Sequence, residues 1–148
     1  MTDDLNADVV VIGGGPAGVA AALAAAQNQA RTILVESSPM VGGNAISGLP
    51  LLGCCNSLGQ WIVGGVLNDL LNGCKRLGGY IGAICDWRTL YGVCVSPDIL
   101  RLVMIERLAQ LGVRVLLYTR IDAVETDGGY VESLIASNKR GRFRVRAP

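Results

Sequence analysis

Gly13, Gly15 and Gly18 stand at the spacing G-x-G-x-x-G within the run Asp8–Gly18, DVVVIGGGPAG. That spacing suits a phosphate-binding turn. The first glycine permits a tight turn, the second lets a backbone approach a pyrophosphate, and the third lets a helix pack closely on a strand. Pro16 and Ala17 then open a helix whose free N–H groups and positive end face the phosphates. Glu36 closes a second apolar run, Thr32-Ile33-Leu34-Val35, at a place where an acid accepts hydrogen bonds from an adenosine ribose. In a chain with 20 glycines the spacing alone is a weak signal. Its weight comes from the order strand, turn, helix, strand, acid.

The elements that must position these residues are legible in part. Asp8–Ile12 has the composition of a buried parallel strand, and Pro16–Ala24 opens a helix of small residues. With the strand over 32–35 this makes a βαβ unit. Residues 45–60, with Gly48, Pro50, Gly53 and Gly59, read as loop. Trp61–Leu77 carries a helical apolar stripe, weakened in its first turn by Gly64-Gly65 and ended by Gly78-Gly79. Tyr80–Val95 is open between short strands and an irregular insert. Within it Trp87, Arg88 and Tyr91 are candidates for substrate contact, although packing for the aromatics and solvation for the arginine explain them more simply. Ser96-Pro97-Asp98 caps a helix that runs to about Leu111 and stops at Gly112. Val113–Tyr118 follows as a strand, so a second crossover returns to the parallel sheet. The tail is a meander: Ile121–Thr126, the turn Asp127-Gly128-Gly129, Tyr130–Ser137, a turn at 138–141, then Arg142–Arg146. Arg142, Arg144 and Arg146 share one face, which reads as solvated, since no aromatic platform accompanies them for nucleic acid.

Composition narrows the chemistry. The 148 residues suit one domain, and an apolar fraction of 51% suits a sheet covered on both faces. A net charge of +1 gives no general attraction to nucleic acid or to an anionic membrane. The acidic start lacks the basic and apolar regions of a secretory signal, and glycines and a proline interrupt Val9–Ala26, so neither a leader nor a membrane span is read. Five cysteines without C-x-x-C spacing, and no histidine, leave no zinc or iron–sulfur site and no histidine-based nucleophile system. Reduced thiols in a cytoplasmic protein are the simple reading.

The run VVVIGGGPAGVAAALAAA…ILVESSPMVGG resembles the FAD-binding part of glutathione-reductase-like flavoproteins. That family's fingerprint adds an alanine, here Ala22, the acid Glu36, and a Gly-Gly pair, here Gly42-Gly43. The departure is Gln29, where the family often has glycine at a helix end. The Gly42-Gly43 loop favours FAD over NAD. With QWIVGGVLNDLL and SPDILRLVMIERLAQLGVRVLLYTRI, nearly the whole chain looks like the FAD-dependent oxidoreductases related to fumarate-reductase-type and heterodisulfide-reductase-type flavoproteins. The resemblance implies a Rossmann-like α/β fold over 1–148 as a single incomplete FAD-binding domain, with 45–95 a loop-and-helix insert. It implies FAD contacts from Gly13, Gly15, Pro16, Ala17, Gly18, Glu36, Ser37, Gly42, Gly43 and Asn44, and backbone contacts from Ile121 to adenine. Asn44, Ser47 and Cys54-Cys55 fall near the expected flavin, but the C-x4-C pair of disulfide-reducing relatives is absent, and the cysteines read as packing residues.

In such flavoproteins a further core strand ending in Thr-Gly-Asp follows, packs beside the first strand and completes the FAD site. The sequence ends at Ala147-Pro148 without it. The expectation is a flavin-dependent oxidoreductase portion, completed elsewhere in a longer product or by a second chain. The alternatives are a module that holds FAD or NAD without turnover, an inactive fragment or split subunit, and a decayed relative. No catalytic residue is named.

Overall fold

The structure is a computed structural model that describes residues 4–86 and 90–147. In chain order the elements are β1 (Leu5–Asn6), β2 (Val9–Ile12), α1 (Pro16–Gln27), β3 (Thr32–Val35), a 3-10 turn (Gly43–Ile46), β4 (Leu51–Leu52), α2 (Val66–Arg76), β5 (Tyr80–Asp86), β6 (Leu90–Val95), α3 (Pro97–Gln110), β7 (Arg114–Leu116), β8 (Arg120–Asp127), β9 (Tyr130–Asn138) and β10 (Gly141–Arg146). They fall into two compact units, Met1–Val41 with Leu108–Pro148, and Gly42–Arg107.

The first unit is built on a parallel sheet in the order β2-β3-β7, with Val10 opposite Ile33 and Leu34 opposite Val115. β3 is the middle strand and every one of its residues is buried, which is why it is apolar throughout. α1 packs against β2 and β3 through Val19, Ala22 and Leu23. Ala22 is wholly buried, so its small size is a packing requirement. At the end of α1, Gln29 takes a left-handed φ of +65°, which accounts for the glycine common at this place in similar proteins.

The second sheet of this unit has the order β1-β10-β9-β8. The expected meander is β8, β9 and β10, all antiparallel. The two-residue β1 pairs parallel with β10 and carries too little pattern to be legible in the sequence. Ile33 and Val35 of the parallel sheet pack with Leu134, Ala136 and Val145 of the meander. A register shift in β8 between Ile121 and Ala123 leaves Asp122 as an extra residue. Strand side chains alternate in facing, so one inserted residue reverses the facing of all that follow. The bulge therefore carries Glu125 to the same face as the β10 arginines. That face is less solvated than its composition predicts. Arg144 makes a two-armed pair with Glu125 at 2.9 and 3.0 Å, Arg142 reaches Asp122 at 3.5 Å, and Arg146 reaches Asp4 at 3.3 Å. Ser133, buried beneath, also donates to Glu125.

The second unit holds a sheet in the order β4-β6-β5 and a core of Cys54, Leu71 and Val93. The stretch left open over 80–95 is an antiparallel hairpin, β5 against β6. Trp87 and Arg88 lie outside the described residues. The helix expected over 61–77 begins only at Val66. Gly65, at its N-cap, has φ +60°, and Trp61 instead forms a bridge with Cys55 and donates its indole N–H to Asn68 at 3.0 Å. The segment read as loop takes in the end of the 3-10 turn and β4. α2 and α3 approach closely. A Cβ on Gly73 would lie 2.5 Å from Val103, and Arg76 pairs with Glu106 at 2.5 Å.

Candidate functional site

The glycine turn joins the end of β2 to α1, at the carboxyl edge of the parallel sheet. Its three glycines have separate physical reasons. Gly13 has φ +99°, a conformation that a side chain disfavours, and its N–H donates to the carbonyl of Val35 at 2.8 Å. A Cβ on Gly18 would lie 1.7 Å from the carbonyl oxygen of Gly13, so helix and turn touch only because Gly18 has none. Gly15 differs. Its φ of −68° suits any residue, and a Cβ there would meet nothing within 4 Å. Neither backbone strain nor crowding demands a glycine at this position, and the backbone there is open to approach.

Gly15 is also the N-cap of α1, with no side chain capping the helix and no acid in its first turn. Pro16 occupies the first helical position, where a missing N–H is harmless, and Pro16 and Ala17 are exposed. A helix start without side-chain caps favours an anion.

Glu36 leaves the end of β3 and turns back to this loop. Its Oε2 accepts the N–H of Gly14 at 2.5 Å, and its Oε1 accepts the N–H of Ser38 at 2.7 Å and the hydroxyl of Ser37 at 3.2 Å. Burial pushes the carboxyl upward, but the N–H groups of Ser38 and Gly14 and the serine hydroxyls outweigh it, so Glu36 is held below the ordinary carboxylate range. Beyond β7, Thr119 donates its N–H to the carbonyl of Glu36 at 2.9 Å, and Tyr118 donates to that of Ser38 at 3.2 Å. The exits of β2, β3 and β7 are thus tied together by hydrogen bonds.

Gly13, Gly15, Pro16, Ala17, Gly18, Glu36 and Ser37 are therefore gathered at one edge of the first unit. Ile121 belongs to the same unit, where its side chain packs on the core and its strand, β8, is the outer strand of the meander. Gly42, Gly43 and Asn44 belong to the second unit. Gly42 has φ +116°, and a Cβ on it would lie 2.7 Å from the Ile46 side chain, while Gly43 has φ +48°. Both glycines are thus required by the chain's path into the 3-10 turn. The Asn44 carbonyl accepts the Ser47 hydroxyl at 2.8 Å. Two features were not visible in the sequence: the Gly14–Glu36 bond and the left-handed φ of +51° at Tyr118. No residue pattern announces either.

All five cysteines are free. Cys54 is buried, and burial followed by the neighbouring Cys55 pushes its thiol upward, away from the reactive thiolate. Among the described residues no group of three or more His, Cys, Asp or Glu side chains could hold a metal ion. Among them, too, no helix is long and apolar enough to cross a membrane.

The turn fits the pyrophosphate of a dinucleotide such as FAD: open space before Gly15, a helix start without side-chain caps, and an acid one strand away. Comparison with known proteins agrees. A fumarate reductase (cytochrome) of Shewanella frigidimarina is 53% identical over 38 residues, 26% of this chain and 7% of that protein. The open conformation of a flavocytochrome c3 fumarate reductase superposes with a TM-score of 0.70 at 18% identity, covering 97% of this chain and 32% of that one. A geranylgeranyl bacteriochlorophyll reductase-like protein of Thermoplasma acidophilum gives 0.69 at 20% identity, covering 98% and 38%. This chain spans well under half the length of these relatives. At such identities the structures speak for the fold, a Rossmann-like α/β arrangement. Residues 8–148 match the family model described as FAD dependent oxidoreductase, and the chain belongs to that family, whose cofactor is FAD.

Proposed function

We propose that this chain is the FAD-binding portion of a flavin-dependent oxidoreductase. Gly13, Gly15, Pro16, Ala17 and Gly18 hold the pyrophosphate, Glu36 and Ser37 take the adenosine ribose, Ile121 offers backbone groups to adenine, and Gly42, Gly43 and Asn44 serve the flavin end. One observation carries the reading: Gly15, at a helix start without a side-chain cap, has open space before it, so a phosphate can reach its backbone. Bound FAD supplies the hydride or electron transfer. The protein's part is to bind, orient and set the local charge.

The site is completed, in this reading, by a further strand beside β2, from another part of a longer polypeptide or from a second chain. Supporting it, β2 is an edge strand among the described residues, and Ile12 at its end is 56% exposed. Five free thiols support a reducing compartment such as the cytoplasm.

A second reading, a module that holds the dinucleotide without turnover, is favoured by two facts. The chain has no histidine, and all five cysteines lie in the second unit. The test is a visible absorbance spectrum of the purified chain titrated with FAD, then with an electron donor added. Bound flavin with shifted bands supports both readings, and reoxidation by an added acceptor supports the enzyme. Folded protein that leaves the FAD spectrum unchanged contradicts both for this chain on its own.

A further inference from the structure

Among the described residues, Gln29 and Tyr118 are the non-glycine residues with positive φ. Gln29 ends a helix, where that conformation is common. Tyr118 ends no helix and stands instead in the short turn between β7 and β8, where glycine or asparagine is the usual choice. Its φ is +51°, the residue is 56% exposed, and glycine would suit the backbone better. Strain kept at a non-glycine position points to a use for the side chain.

The location says what use. Tyr118 lies two residues past the end of β7, with its N–H bonded to the Ser38 carbonyl at 3.2 Å, while Thr119 bonds to the Glu36 carbonyl. Thr119 is buried and locked further, donating its hydroxyl to the Leu117 carbonyl at 2.9 Å and accepting from Asn138 at 3.3 Å. The loop that presents Tyr118 is therefore fixed. Across the sheet the order is β2, β3, β7. The exits of these strands carry, in that order, the glycine turn, the carboxylate of Glu36, and the ring of Tyr118. Neighbouring strands are about 4.8 Å apart. A ligand with its pyrophosphate at the turn and its ribose at Glu36 comes, at the next strand, to an exposed aromatic ring. The Lys139 ammonium lies over one face of that ring, 5.7 Å from its centroid, and leaves the other face for a base.

We propose that Tyr118 is a stacking platform for the adenine ring of the bound dinucleotide. The inference rests on the FAD-binding reading above and deepens it. Stacking on an aromatic side chain is tolerant of orientation and needs no hydrogen-bond partner. A tyrosine tolerated in a left-handed turn is worth its strain if the ring carries the base.

The test compares the full chain with Tyr118→Gly, Tyr118→Phe and Gly15→Val, titrated calorimetrically with FAD and with ADP. Glycine accepts φ +51°, so Tyr118→Gly keeps the fold and raises the thermal midpoint. The proposal expects Tyr118→Gly to weaken FAD and ADP by the same factor, roughly 5- to 100-fold. It expects Tyr118→Phe to bind both as the parent does. Tyr118→Gly binding both ligands like the parent, while Gly15→Val loses them, overturns the role of Tyr118 and leaves the dinucleotide site standing. A loss confined to FAD places the ring elsewhere along the ligand and also overturns it. A parent chain that binds neither ligand overturns the site and the platform together.

Discussion

The carboxylate of Glu36 lies 2.5 Å from the backbone N–H of Gly14, across 22 residues of sequence. The acid proposed to take the ribose thus also fastens the turn proposed to hold the phosphates. Ser38 completes the arrangement from the other side, donating its N–H at 2.7 Å. One side chain sets the distance between two parts of the binding edge.

Removing it should cost both binding and order. Glu36→Ala is expected to weaken FAD binding by about 1–2 kcal/mol, the worth of a hydrogen bond to a charged group. It should also lower the thermal midpoint of the ligand-free chain, because two backbone N–H groups lose their acceptor. Calorimetric titration and thermal unfolding check the two effects separately. Full affinity in Glu36→Ala would remove Glu36 from the ribose role.

Acid should act through the same group. The Glu36 carboxyl is held below its ordinary value of 4.5, so the folded state favours the charged form. Its contribution is therefore present above the ordinary value and is lost as pH falls through the folded one. FAD affinity should be flat from pH 7 to about 5 as far as Glu36 is concerned, and fall below that range. In Glu36→Gln the acid-dependent part of that fall should be absent. An identical pH profile in the variant would count against the assignment.

Gly18→Ala should fail in a different way. A Cβ there would sit 1.7 Å from the Gly13 carbonyl oxygen, which is backbone and has no room to yield. The cost is that of overpacking at its upper end, about 3 kcal/mol or more. Thermal unfolding followed by circular dichroism should show the loss with no ligand present. An unchanged midpoint would mean that α1 and the turn are farther apart than described.

The ion pair on the meander can be tested against a neighbour. Arg144 engages Glu125 with two nitrogens, over a buried Ser133, whereas Arg140 lies at an exposed turn. Arg144→Ala should lower the thermal midpoint more than Arg140→Ala, and 1 M salt should narrow the difference. Equal midpoints would return this face to the solvated role that its composition suggests.

What the sequence made legible was local. The jobs of Gly13 and Gly18 follow from a short covalent path between strand and helix, and the meander follows from the turn at Asp127-Gly128-Gly129. Ala22 was readable because one helix face packs on one strand pair. What escaped depends on residues far apart in sequence. The bulge at Asp122 reverses the facing of Glu125 and turns a row of arginines into partners, yet nothing in Ile121-Asp122-Ala123 announces an extra residue. β1 is too short to show a pattern and exists because β10 offers it an edge. The helix expected from Trp61 starts at Val66, because a weakened first turn over Gly64-Gly65 gave way to the bridge between Cys55 and Trp61. The Gly14–Glu36 bond and the strained Tyr118 both need the three strand exits to be assembled first.

The most direct test of the account is FAD binding by Gly15→Val, measured calorimetrically beside the parent, with thermal unfolding of both. The position has φ −68° and open space, so valine should leave the stability within about 1 kcal/mol of the parent's. The account predicts a folded variant that no longer binds FAD, because the side chain fills the place of the pyrophosphate. A folded Gly15→Val chain that binds FAD as tightly as the parent would contradict it.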